Sequence, residues 1–142
     1  NILTESVRLI YGPDYRVEMS YSMKNNRSCL SIEMVEETTS GIVKREIGGF
    51  GGGMADTIAT PLRLAVIVGA KQVSRVCFLD ESWSFMDEDR IPLVAEFLND
   101  ISNKLKLQII ICTHWDIIRE RADASFSVTK VNGKAIVKNK RI

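Results

Sequence analysis

Two apolar runs of similar make-up, Val76-Cys77-Phe78-Leu79 and Ile109-Ile110-Ile111-Cys112, each break off abruptly into polar residues, Asp80-Glu81 after the first and Thr113-His114 after the second. Short runs this rich in β-branched residues read as strands buried on both faces, as in a parallel sheet covered by helices. A helical pattern from about Glu88 to Lys104 lies between them and a shorter one follows, which completes a βαβα alternation. The polar residues that close both strands are then expected to emerge at the carboxyl edge of the sheet, where open α/β sheets bind their ligands.

The residues before this unit follow a different rhythm. Leu3, Val7 and Ile10 fall on one helical face, and Gly12-Pro13 stops that helix. Alternation takes over: Tyr15, Val17, Met19 and Tyr21 share one side of a strand, Lys24-Asn25-Asn26-Arg27 turns, and Leu30, Ile32 and Met34 share a side of the next. A short strand from Ile42 to Ile47 completes an antiparallel meander. Beyond it, Met54, Ile58, Leu62, Val66 and Gly69 recur near the helical period. The C-terminal stretch, Ser125 to Val137 with Asn132-Gly133 at its centre, reads as a hairpin. The expected fold class is α/β: a parallel sheet core flanked by helices, an antiparallel β meander on the N-terminal side and a C-terminal β hairpin, in one domain spanning 1–142.

The 142 residues are 45% hydrophobic and 26% charged, enough for one compact core, and no apolar run is long enough to cross a bilayer. No secretory signal opens the chain, and a first residue of Asn1 leads us to expect a piece of something longer. Cys29, Cys77 and Cys112 are scattered and set in apolar runs, so buried thiols in a reducing compartment are expected, with neither a disulfide framework nor a zinc knuckle. The net charge of +1 does not single out a partner. Locally, Lys130, Lys134, Lys138, Lys140 and Arg141 make the C-terminus basic, a pattern that solvated strand edges explain equally well.

Two features carry chemistry. Adjacent carboxylates at a sheet edge, Asp80 and Glu81, suit a site where Mg²⁺ and phosphate charge are held together, one helping to hold the ion while its neighbour orients a water. The bland alternative is an acidic strand end. The second feature is Gly48-Gly49-Phe50-Gly51-Gly52-Gly53, a loop that opens a helix. So many glycines cost conformational entropy, so something must approach this backbone closely. Free N–H groups at a helix start attract anions, phosphate foremost, although a glycine-rich turn is as often structural. The dinucleotide fingerprint fails because no parallel-strand unit precedes the loop, and no GxxxxGK[ST] phosphate loop occurs anywhere in the chain.

Taken in order, these residues resemble the C-terminal lobe of an ABC-type ATPase head of the SMC, RecF, RecN and SbcC group. Phe50-Gly51-Gly52-Gly53-Met54 aligns with the family's LSGGE signature, and Arg63 stands at the spacing of an arginine in the helix that follows. Val76 to Glu81 matches the four apolar residues with Asp-Glu, Ser82 to Asp87 matches the D-loop, and Ile110 to His114 matches the strand with its switch histidine. The resemblance extends over the whole chain, since a short helix and a meander before the signature look like the SbcC type. On this basis 1–47 comprises the helix and antiparallel strands, and 48–142 the signature, Walker B, D-loop and H-switch region.

Residue by residue, the resemblance implies that Asp80 holds Mg²⁺, that Glu81 positions the attacking water and that His114 contacts the γ-phosphate. It implies that Gly51, Gly52 and Gly53 bind the ATP held by an opposite head, with Asp87 touching the facing subunit. Asp87 is also expected to cap the next helix. Trp83 and Phe85 are expected at a subunit contact. The implied partners are an N-terminal lobe with the Walker A loop, which Lys71 does not replace, a second ATPase head, DNA and an SbcD-like nuclease, with no membrane. The implied setting is cytoplasmic or nucleoid-associated, in a prokaryotic or phage-infected cell. The implied role is recombination or double-strand break repair, leaning slightly toward a phage-type variant and inactive as an isolated chain. Two other readings stay open: a nucleotide-independent interaction module of the same descent, and a fragment of another P-loop ATPase. The sequence departs from the family at Gly51, where the signature has serine, at Met54, where it has Glu or Gln, and at Ser82, where transporters have proline. Pro61 inside the signature helix leads us to expect a bend.

Overall fold

The computed structural model describes residues 2–70 and 74–141. Asn1 and Lys71, together with the side chains of Lys140 and Arg141, fall outside that description. Helix α1 (Ile2–Tyr11) leads into three antiparallel strands, β1 (Tyr15–Lys24), β2 (Arg27–Thr38) and β3 (Gly41–Glu46), in the order β1-β2-β3. Gly12, at φ +116, ends α1 as expected and returns its N–H to the Arg8 carbonyl at 3.0 Å. At the first hairpin Lys24 pairs with Arg27 across Asn25 and Asn26, whose φ of 51 and 58 suit a two-residue turn of the type that strand twist favours.

A short 3₁₀ turn (Ile47–Gly49) brings the chain to α2 (Gly52–Gly69). The parallel unit follows: β4 (Val76–Asp80), α3 (Ile91–Leu105), β5 (Gln108–Cys112) and the short α4 (Asp116–Glu120), with β4 and β5 in parallel register from Val76↔Gln108 to Asp80↔Cys112. The chain closes with the hairpin β6 (Ala124–Val131) and β7 (Lys134–Arg141), turning at Asn132-Gly133. The mixed α/β class with its meander, parallel pair and terminal hairpin is as the periodicity indicated.

Two cores share the helices. Leu3 and Val7 of α1, Ile58 of α2, Val17 and Met34 pack together under the meander. Ile10 of α1 and Leu64 of α2 join the second core, with Leu79, Ile91, Val94 and Ile118 beneath the parallel strands. Both helices therefore tie meander and parallel unit into one body. Pro61 lies buried within α2, which runs unbroken across it. Proline has no N–H for the Thr57 carbonyl four residues back. The buried Ser6 hydroxyl, which donates to the Leu3 carbonyl of its own helix at 2.9 Å, also lies 3.3 Å from the Thr57 carbonyl, so its one proton is shared between α1 and the gap in α2.

The parallel strands differ from expectation on one face. Cys77 and Leu79 are buried, but Phe78 is 74% and Ile110 41% exposed. The runs are apolar on both sides, whereas the chain's own helices cover one side only; periodicity cannot reveal which cover is present. The thiols are likewise not uniformly buried, since Cys77 is buried, Cys29 half-buried and Cys112 exposed.

Candidate functional site

The carboxyl edge of the parallel pair is built by β4, β5 and the loops that leave them. Asp80 ends β4 opposite Cys112 and is exposed. Glu81 adds one further bond to the pairing, its N–H donating to the Cys112 carbonyl at 3.0 Å, and then the chain turns sharply away. Its φ of 48 is left-handed, a conformation rarely taken by a residue with a side chain. The turn is closed by the Ser84 N–H, which donates to the Glu81 carbonyl at 3.2 Å, and by the Ser84 hydroxyl, which donates to the same oxygen.

This geometry sets the Glu81 carboxylate against His114. Oε2 of Glu81 lies 2.9 Å from Nδ1 of His114, and the two side chains are 55% and 53% exposed. With its proton on Nδ1 the imidazole donates to the carboxylate. At such exposure solvent screens the pair, whose own contribution to stability is on the order of 0–1 kcal/mol. What it offers is a reachable base beside a polarisable ring, suited to orienting a small polar reactant such as water.

Trp83 is fully buried and belongs to the core of this chain rather than to a surface contact. A second left-handed residue, at φ 62, it is secured by four bonds, one of them from the Met86 N–H to its carbonyl at 3.1 Å. Its N–H donates to Oδ2 of Asp56 at 2.8 Å, its indole N–H reaches the Thr57 hydroxyl at 3.4 Å, and its carbonyl accepts the Trp115 indole N–H at 3.1 Å. The sequence offered no local signal for Asp56 or Thr57, which lie 27 and 26 residues away from their partner. Phe85, by contrast, is 84% exposed.

The triple glycine meets the end of the same loop. Gly51 holds the N-cap position of α2 without a side-chain cap, and a Cβ there would meet nothing within 4 Å. A Cβ on Gly52 would come within 2.9 Å of the Phe85 ring, and one on Gly53 within 3.0 Å of Met86 Cα. The close approach anticipated from the glycines is therefore real, and for these two positions the approaching group is the chain's own loop. Gly51 and Gly52 remain exposed at the helix start, where the first N–H groups of any helix lack intrahelical acceptors, while Gly53 is buried.

Asp87 occupies the N-cap of the 3₁₀ turn Glu88–Arg90 but makes no side-chain cap bond. Its carboxylate pairs instead with Arg90 Nε at 3.4 Å, and its carbonyl accepts the Arg90 N–H at 2.9 Å. The capping expectation thus holds for position and fails for the side chain, which the nearby guanidinium draws away. Among the described residues no group of three or more His, Cys, Asp and Glu could hold a metal ion. Asp80 and Glu81 together fit only an ion that brings most of its ligands along, as Mg²⁺ does with waters and phosphate oxygens. Burial raises the Cys77 thiol above its usual value, against a smaller lowering by Arg63, so this thiol beneath the site stays protonated at neutral pH.

No protein-family model matches the chain. A stretch of 64 residues is 34% identical to an uncharacterized protein of Acanthamoeba polyphaga mimivirus, covering 44% of this chain and 5% of the viral one. Similarity in structure extends much further. The Smc head domain of Pyrococcus furiosus, solved with an extended coiled coil and bound to the C-terminal domain of ScpA, gives a TM-score of 0.73 at 19% identity over 99% of this chain. The Pyrococcus yayanosii Smc head with its coiled coil and joint gives 0.74 at 18% identity over 96%. The fold is that of an SMC head lobe. The chain spans 34% and 25% of those two proteins, and 81% of an SMC ATPase chain studied for ATP-driven dimerisation and DNA-stimulated activation, which it matches with a TM-score of 0.73 at 18% identity. Within this SMC head fold the paired Glu81 and His114 stand at the carboxyl edge of the parallel strands, and none of the described helices is long and apolar enough to cross a membrane.

Proposed function

We propose that this chain is the C-terminal half of an ATP-hydrolysing head that closes on a second head around nucleotide. The observation that carries the reading is the contact of Glu81 with His114 at 2.9 Å, at the carboxyl edge of a parallel strand pair in an SMC head fold. Glu81 orients the attacking water, His114 monitors the γ-phosphate, and Asp80 supplies one ligand to Mg²⁺, which when bound neutralises phosphate charge. Gly51 and Gly52, exposed at the start of α2, face the nucleotide of the opposite head, with Gly53 fixing the loop behind them and Asp87 on the facing side.

The chain needs a second lobe to hold a triphosphate, and its surface is consistent with one. Phe78 and Ile110 leave one face of β4 and β5 uncovered, and Phe126, at 62% exposure, and Val128, at 67%, do the same for β6. A two-stranded hairpin is at best marginally stable in water alone. An N-terminal lobe bearing a phosphate loop would cover these faces. Joined to it, the head would couple hydrolysis to DNA binding in recombination or break repair, with Lys130, Lys134 and Lys138 as backbone contacts and a nuclease among its partners.

The deciding experiment mixes the chain with its N-terminal lobe and measures ATP turnover. Glu81→Gln is expected to slow hydrolysis by ~10²–10⁴ while leaving ATP-dependent association of heads intact or prolonged. The second reading, a nucleotide-independent interaction module, draws on the packing of Gly52 and Gly53 against Phe85 and Met86, which accounts for two glycines without a ligand. It requires partner binding to be indifferent to ATP, to Glu81→Gln and to Gly52→Asp.

A further inference from the structure

We infer that Asp56 is a positioning residue that links the glycine-loop helix to the Glu81–His114 pair through the two tryptophans of the chain, an inference that deepens the proposed ATPase reading and rests on it for its functional consequence. Asp56 lies in the first turns of α2, three residues beyond Gly53. Its carboxylate accepts the Trp83 N–H at 2.8 Å, the shortest of the bonds that tie α2 to the loop. The carbonyl of Trp83 in turn accepts the Trp115 indole N–H at 3.1 Å, and the Trp115 ring lies 4.7 Å from the His114 ring, tilted by 35°. From α2 to the histidine the chain of contacts is continuous.

The loop requires such a restraint. Glu81 and Trp83 both adopt left-handed conformations, which persist only where surrounding contacts over-determine them. Ser84 closes the turn locally, but a local bond does not fix the turn relative to α2. The bond to Asp56 does, since it runs from the turn's own backbone to a side chain of α2. Thr57 and the bare backbone of Gly53 against Met86 complete the seat. A displacement of the α2 start, where the opposite head's nucleotide is proposed to bind, would therefore shift Trp83, and with it the loop that aims Glu81 and the tryptophan that flanks His114.

The prediction is testable without nucleotide, in the 142-residue chain with and without its N-terminal lobe. Trp83 and Trp115 are its two tryptophans and His114 its single histidine, so two indole N–H signals and one set of imidazole ring signals report on the whole relay by NMR. Asp56→Ala is expected to accelerate Trp83 amide exchange by at least about tenfold and to move the Trp115 indole and His114 ring resonances as well. Asp56→Asn, which keeps an acceptor, is expected to restore most of all three. A shift confined to Trp83 would overturn the relay. Should Asp56→Ala fail to fold, Trp115→Phe tests the same link from the other end: accelerated Trp83 amide exchange supports it, and unchanged exchange overturns it. In the two-lobe protein, Asp56→Ala is expected to lower kcat about tenfold with KM for ATP unchanged, again recovered by Asn. If Glu81→Gln leaves turnover intact, the ATPase reading fails while the resonance coupling still stands or falls by itself.

Discussion

The seam between α2 and the loop after β4 and the far ends of the two hairpins make opposite use of apolar and polar groups. At the seam, Trp83 and Leu64 are fully buried, and every polar group of Trp83 has a partner supplied by another element or by its own loop. At the hairpin ends, Met19, Tyr21, Met23 and Leu30 stand 50–69% exposed on one face of the meander, and Phe126 and Val128 are equally open on β6. Apolar surface of this kind on a chain with two well-packed cores marks places meant to be covered. The difference teaches that this chain completes the packing behind its own carboxyl edge but not its own exterior.

Substitutions sharpen the contrast. Trp83→Ala is expected to cost about 3–5 kcal/mol, since it opens a cavity and strands its hydrogen-bond partners, whereas Tyr21→Ser and Phe126→Ser should stay within about 0.5 kcal/mol in the isolated chain. Urea denaturation distinguishes them, and a large loss at Tyr21 would show that the hairpin end is already packed. Ser6→Ala should cost roughly 1 kcal/mol, because it removes a buried hydroxyl whose proton is shared between the Leu3 carbonyl and the Thr57 carbonyl opposite Pro61. Combining it with Pro61→Ala, which returns the missing N–H, should recover part of that loss in the same denaturation experiment.

Titration should produce smaller effects. Burial raises the Tyr11 hydroxyl above its usual value of 10.0, with weaker lowering by Thr57 and Arg90. A proton held more tightly in the folded chain than in the unfolded one stabilises fully below pH 10 and is lost as pH rises through the folded value. Stability should therefore fall above pH 10, less so in Tyr11→Phe, as thermal melts against pH would show. The smallest effect belongs to half-buried Glu18. Hydrogen bonds from Lys44, and then from Arg16, lower its carboxyl, so its contribution is present above the ordinary carboxylate range and fades as pH falls through the lowered value. Lys44→Ala should flatten that acid limb slightly.

Much of the framework was readable because it is local. Asn25-Asn26 and Asn132-Gly133 encode tight turns by tolerating positive φ, and they lie between strands whose alternation was visible without them. The order of β4, α3 and β5 followed from the change of period. The exposure of Phe78 and Ile110 was not readable, since an apolar residue looks the same whether its cover belongs to the chain or to a partner. Nor was the side chain of Asp87, which fits a cap by type but lies within reach of Arg90.

The candidate site divides along the same line. That Asp80, Glu81 and His114 leave neighbouring strands at one edge was determined by the sequence, because strand ends and their parallel pairing follow from pattern and connection alone. That Glu81 meets His114, that Trp83 turns inward, and that Gly52 and Gly53 seat the loop were decided only by tertiary structure. These outcomes depend on contacts between residues about 26 to 33 positions apart. Local propensity would have disfavoured the left-handed turns of Glu81 and Trp83, and only such long-range packing and hydrogen bonding can hold them.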